Sequence, residues 1–234
     1  MKVAVVRFPG SNCDLDVLYV LRNVLKVDAN LVWHRSFSHN DFDAVFLPGG
    51  FSYGDYLRAG AIASHSPSLP TVRKMAEEGK PILGICNGFQ ILIEAGLLPG
   101  ALLRNSCLRF VCKWVSLVAE NDRTAFTQLL QRGSILRMPV AHHEGRYVND
   151  EEGLRELEEN GRVVFRYVDE SGKATEAANP NSSMNNIAGI CNKEGNVLGL
   201  MPHPERASEP ILDPCGKTDG LLLFRSMLEF LRSR

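Results

Sequence analysis

The chain has 234 residues, of which 44% are hydrophobic and 23% charged, with a formal net charge of −1. This composition supplies one sizeable core and argues against long disorder, and near-neutrality leaves no global field to hold nucleic acid or an anionic membrane. No apolar run approaches the roughly 20 residues of a membrane span, and Met1-Lys2 leads straight into Val3-Ala4-Val5-Val6, so no signal peptide is expected.

Strand and helix alternate through the first half. Val3–Arg7 reads as a buried strand, Asp14–Leu25 as a helix and Asn30–Trp33 as a second strand. Ala44–Leu47 is a third strand ending at Pro48-Gly49-Gly50, and Thr71–Glu78 is a helix closed by Gly79. Ile82–Ile85 is a fourth strand, followed by a helix over Gly88–Ala95. Apolar strands separated by amphipathic helices predict a mostly parallel open sheet covered on both faces. In the second half, strands are predicted over Phe110–Val118, Ile135–Val140, Val163–Val168, Ile187–Cys191 and Val197–Met201. Several lack an intervening helix, so part of the sheet is expected to be antiparallel or to form a small side sheet. Glu151–Asn160 reads as a charged, solvated helix and Gly220–Arg232 as a closing one. Asp169–Asn186 is polar and loop-like, a segment expected to move or to meet a partner. No linker or repeat interrupts the chain, so residues 1–234 are expected to form a single domain.

Six cysteines (13, 86, 107, 112, 191 and 215) are scattered without a Cys-x-x-Cys pair, which suits a reduced, cytoplasmic protein. Their spacing offers no metal-ligand set, and no metal site is expected. Cys86 stands apart. In Gly84-Ile85-Cys86-Asn87-Gly88 an apolar strand ends at a glycine, presents a cysteine and passes a second glycine into a helix. That is the sequence form of a nucleophile elbow. A helix starting just after Cys86 directs its N-terminal N–H groups at the sulfur and favours the thiolate. Taken by itself the pattern also fits a buried, inert thiol.

A cysteine nucleophile needs a base, and the base needs an orienter. Histidines 34, 39, 65, 142, 143 and 203 are the candidates. His203 follows the predicted strand Val197–Met201 within Pro202-His203-Pro204-Glu205. Flanking prolines favour extended backbone, in which residues two apart face the same side, so Glu205 can reach the imidazole. The tetrapeptide alone would also suit a rigid surface turn. Both Cys86 and His203 lie at carboxyl ends of strands, where open α/β sheets gather ligands. Pro48-Gly49-Gly50-Phe51 is a candidate oxyanion loop, with the Gly50 and Asn87 N–H groups as donors. Gln90 sits one helical turn past Cys86 on the same face, open either to a polar substrate or to solvent.

These motifs resemble those of class I glutamine amidotransferases. Gly84, Cys86, Gly88 and Gln90 match the family elbow, His203 and Glu205 its distal His-x-Glu, and Pro48-Gly49-Gly50 its oxyanion strand end. Phe8–Asp14, Gly49–Gly60, Leu98–Leu102 and Gly199–Arg206 narrow the resemblance to the glutaminase branch that serves phosphoribosylformylglycinamidine synthase in purine biosynthesis. One departure is Ala141-His142-His143-Glu144-Gly145, where that branch usually has glycine at the position of His143.

The resemblance implies a flavodoxin-like α/β fold and hydrolysis of L-glutamine to glutamate and ammonia through a γ-glutamyl thioester on Cys86. It implies that Gln90 and the backbone near Phe51 and His142 hold the glutamine. It implies no cofactor in this chain. ATP and Mg belong to a larger synthetase subunit that converts formylglycinamide ribonucleotide to its amidine, and a small third subunit bridges the two. Interfaces are expected at Asp169–Asn186 and near Tyr53–Arg58. Two readings from other classes remain open at the level of sequence: an elbow-cysteine peptidase or thiol-stress protein of similar fold, and a non-catalytic interaction subunit.

Overall fold

In the computed structural model, which describes residues 1–38 and 41–233, eleven strands and five α-helices follow one another along the chain. The strands are β1 (Lys2–Arg7), β2 (Asp28–Trp33), β3 (Ala44–Leu47), β4 (Ile82–Ile85), β5 (Ala101–Leu103), β6 (Val111–Ala119), β7 (Ile135–His142), β8 (Arg146–Val148), β9 (Val163–Val168), β10 (Ile187–Cys191) and β11 (Val197–Leu200). The helices are α1 (Asp14–Tyr19), α2 (Ser68–Glu77), α3 (Asn87–Glu94), α4 (Glu151–Glu159) and α5 (Leu221–Arg232). His39, one of the candidate bases, lies outside the described residues.

Nine strands form one sheet in the order β2-β1-β3-β4-β11-β10-β9-β6-β7. The first five are parallel. From β11 onward each neighbour is antiparallel. The strand β11 is therefore the seam, parallel to β4 on one side and antiparallel to β10 on the other. The residue patterns explain the split. The strands β3, β4 and β11 are buried at every position, as a sheet covered on both faces requires. Along β7 buried and half-buried residues alternate, the mark of a sheet with one wetter face. The core continues across the seam: Leu117 of β6 and Phe165 of β9 belong to the same buried cluster as Phe46 of β3, whose ring stacks on Phe224 of α5 with centroids 5.2 Å apart.

Two expectations need correcting, and one is open between two outcomes. The helix expected over Asp14–Leu25 is α-helical only to Tyr19, and its last stretch, Val20–Val24, widens into a π-helix. Both outcomes for the second half occur: the main sheet turns antiparallel, and a small side sheet forms from β5 and β8, strands too brief to leave a periodic signal of their own. Asp169–Asn186 is not uniformly an exposed loop: Asn181 and Ser183 are buried and bond the loop at Gly145.

Candidate active site

Cys86 ends β4 and caps α3 in a conformation only a sharp elbow produces, with φ +50° and ψ −103°. A non-glycine residue held there costs about 1–3 kcal/mol, supported by the packing around it. That packing rests on contact between α3 and the sheet. A Cβ on Gly88 would come within 1.9 Å of the Leu47 carbonyl oxygen, so no larger residue lets the helix lie against β3. The elbow glycines thus serve close approach, while the strained torsion falls on the cysteine itself. The thiol is buried, with Sγ 3.7 Å from the Ala141 carbonyl oxygen of β7.

His203 leaves β11 with its backbone N–H bonded to the Pro139 carbonyl of β7 at 2.8 Å. Beyond it the chain does not run extended, as the flanking prolines suggested. Pro204 opens a 3₁₀ turn, Pro204–Ala207, that folds Glu205 back onto the imidazole. His203 Nδ1 lies 2.6 Å from Glu205 Oε1, with both residues buried. Burial opposes a charged ring, but the Glu205 carboxylate, the Cys86 sulfur and contacts with the Cys13 and Cys86 thiols outweigh it and hold the His203 pKa well above its ordinary value. Among the described residues no hydrogen bond of ordinary geometry reaches Nε2, which leaves that nitrogen available to a reacting group.

The loop after β3 supplies the glycine peptides. Gly50 has φ +146°, and a Cβ there would meet the Asn12 nitrogen at 2.7 Å. The neighbouring carbonyl of Gly49 accepts from the N–H groups of Asn12 and Cys13 at 3.3 and 3.2 Å, and Phe51 N–H donates to Gly10. Asn87 Oδ1 accepts from Ser52 N–H at 3.1 Å, so the first residue of α3 also ties down this loop. Phe51 itself is exposed at the rim, tilted against Phe110.

Gln90 does not face solvent. It is buried, receives a bond from Asn87 Nδ2 at 2.9 Å and donates to the Glu144 carbonyl at 2.6 Å. It thereby joins the elbow helix to the loop at 142–145. The His142 side chain points inward, not toward an open cleft: Asn105 and Asn181 flank its ring, and Asn105 Nδ2 already bonds its carbonyl. Burial, then the charge of His203, pushes the His142 pKa down to about 3, so this ring is neutral in the folded protein.

Several residues around the site gave no separate sign in the sequence. Asn105 is fully buried and holds the 142–145 loop through His142, His143 and Gly145. Glu144 Oε2 accepts from Ala59 N–H at 3.0 Å, bridging that loop to the segment after Tyr53–Arg58. Cys13 and Arg206 meet, with Nη2 3.1 Å from Sγ. Both stand inside stretches that looked distinctive, but nothing in their spacing says that residues 193 positions apart touch.

The Cys86 thiol, a carboxylate-anchored imidazole and a glycine loop thus lie together at the carboxyl ends of β4, β11 and β3. Residues 1–231 match the CobB/CobQ-like glutamine amidotransferase domain. Phosphoribosylformylglycinamidine synthase subunit PurQ of Aquifex aeolicus is 57% identical over 97% of this chain and 99% of its own length. The subunit of the same name from Methanosarcina acetivorans is 55% identical over 99% of this chain and 98% of its own. Among solved structures, a chain of PurLQS from Thermotoga maritima superposes with a TM-score of 0.85 at 44% identity, covering 98% of both chains.

Proposed function

The chain belongs to the CobB/CobQ-like glutamine amidotransferase family and, within it, to the PurQ subunits of phosphoribosylformylglycinamidine synthase, and from that premise we propose that it hydrolyses L-glutamine at Cys86 and delivers the ammonia to a partner synthetase. The observation that carries the chemistry is the buried Glu205–His203 pair beside the Cys86 elbow.

The Cys86 thiolate attacks the side-chain amide carbon of glutamine. The N–H groups of Gly50 and Asn87 stabilise the tetrahedral oxyanion, Asn87 having its N–H free at the start of α3. His203, held protonated by its surroundings, gives its Nε2 proton to the amide nitrogen, and ammonia leaves. The neutral imidazole then takes a proton from water; the hydroxide opens the γ-glutamyl thioester, releasing glutamate and restoring the thiolate. Glu205 keeps Nδ1 engaged, so the ring always presents Nε2 to the reaction. Gln90, through Glu144, and the backbone near Phe51 and His142 shape the seat for the glutamine. The whole chain, residues 1–234, acts as one glutaminase domain.

The synthetase half of the reaction, with its ATP and Mg, belongs to the partner that turns formylglycinamide ribonucleotide into the amidine, together with a small bridging subunit. Tyr56 and Leu57, exposed beside the cleft, suit the partner-facing rim. A cytoplasmic setting suits the six free cysteines; among the described residues no helix is long and apolar enough to cross a membrane. The test is Cys86→Ala in the assembled synthase. Glutamine-dependent synthesis falls by at least about 10³-fold, while synthesis from added ammonia continues. Undiminished glutamine-dependent synthesis would remove Cys86 from the reaction.

A further inference from the structure

We propose that Cys13, His203 and Glu205 form a binding site for a thiophilic divalent cation such as Zn²⁺, and that occupation of the site switches off glutamine hydrolysis. The inhibition rests on the glutaminase reading; the binding does not.

One ligand atom from each residue, a sulfur, a ring nitrogen and a carboxylate oxygen, lies within 4.8 Å of the other two, and all three residues are buried. Zinc takes this mixture of donors in three-ligand sites that leave a fourth position for water. Two of the groups present a polar atom that finds no hydrogen-bond partner among the described residues: an oxygen lone pair on Glu205, and the Nε2 position of His203, which opens to a metal once its proton leaves. Among the described residues Glu205 Oε2 and His203 Nε2 are buried without a hydrogen-bond partner, although Glu205 and His203 are 2% and 1% exposed. A buried polar atom left unpaired costs about 1–3 kcal/mol, and a bound cation would remove that cost at Glu205.

One of the three ligands borders a surface cavity: Glu205 and Arg206 line a space of about 470 Å³ together with Asp16 and Glu209, so three carboxylates face it. Arg206 is the opposing charge. Burial pushes the Cys13 thiol pKa up, and the Arg206 charge, with Nη2 donating to Cys13 Sγ, offsets part of that rise; its Nε lies 3.5 Å from Asp16 Oδ2, an alternative partner when the sulfur is taken. Binding is a ligand exchange: the Cys13 thiol and the His203 imidazolium each release a proton to solvent, and the metal sheds water. No bond within the chain breaks other than the hydrogen bonds of these side chains. A metal on this imidazole withdraws it from proton transfer, so ammonia has no acid to leave with and the thioester no base.

Sequence spacing suggested no metal site because Cys13 stands 190 residues before His203. The brace between residues 10–13 and the loop at Gly49 brings the sulfur there: a Cβ on Gly49 would lie 2.8 Å from His203 Cε1 and 3.1 Å from Cys13 Sγ.

Co²⁺ titration of the purified chain tests the site without reference to activity, because a thiolate bound to cobalt gives a near-ultraviolet charge-transfer band. The wild type is expected to show that band at one metal per chain, with Zn²⁺ displacing the cobalt. Cys13→Ala and Cys13→Ser are both expected to lose the band and to weaken binding by at least about tenfold, while Cys86→Ala keeps the band. The serine variant preserves volume and carries the test if the alanine variant does not fold. The proposal is overturned if either Cys13 variant keeps wild-type band and affinity, if the band disappears only in Cys86→Ala, or if the wild type binds no cobalt at submillimolar metal.

Discussion

The parallel and antiparallel halves of the sheet divide the labour of the site. The strands β3, β4 and β11 end in the glycine loop, the elbow cysteine and the histidine, so the proposed reacting groups all hang from carboxyl ends of parallel strands. The antiparallel half curls over them: β7 accepts the His203 N–H with its Pro139 carbonyl and sets its Ala141 carbonyl beside Cys86 Sγ. Each half also sets one buried histidine beside the site, and the two are tuned in opposite directions. Glu205 and the neighbouring sulfurs keep His203 charged against its burial. His142 has two asparagines in place of a carboxylate, and burial keeps it neutral. Burial is common to both rings; the partner decides the sign.

That contrast can be broken most severely on the parallel side. Glu205→Gln preserves size but removes the charge that anchors His203. Glutamine-dependent turnover in the assembled synthase is expected to fall on the order of 10³–10⁴-fold, with ammonia-dependent turnover intact. A loss within about tenfold would mean that Glu205 does not orient the ring.

On the antiparallel side the expected damage is to stability and substrate seating, not to chemistry. Asn105→Ala leaves the Gly145 N–H and the His142 carbonyl without their partner. Urea unfolding should report a loss of about 2–3 kcal/mol, and KM for glutamine should rise more than kcat falls. Unchanged stability together with unchanged KM would show that the loop is held elsewhere.

The smallest effect separates the two histidines by pH. The His142 pKa is about 3 when folded against an ordinary 6.5, so between those values the unfolded chain binds a proton that the folded chain does not. Stability therefore falls as pH drops from about 6.5 toward about 3. In His142→Gln that slope is expected to be shallower by about one proton. His203 contributes with the opposite sign, its stabilisation complete below the ordinary value and lost as pH rises through the raised one. An acid slope that does not change in the His142 variant would contradict the neutral, buried ring.

Much of the parallel half was legible in the chain. Uninterrupted apolar runs such as Ala44–Leu47 and Ile82–Ile85 are what a strand buried on both faces must look like, and Gly84-Ile85-Cys86-Asn87-Gly88 carries its geometry locally. The candidate triad was legible for the same reason: Cys86 and the His203–Glu205 pair each sit in a short motif whose shape its own neighbours dictate. Even so, the turn that brings Glu205 to His203 is a 3₁₀ turn and not an extended segment.

What the sequence by itself determined were features with a local cause: strand burial, the elbow, the turn glycines and the pairing of residues two apart. Only the tertiary structure decided that β7, at the far edge of the sheet order, comes back over Cys86, that Gln90 and His142 brace the site from within, and that Cys13 lies against His203. These contacts join residues far apart in the chain. They are fixed by how the sheet curls and its loops pack, and no periodicity or spacing along the chain records them.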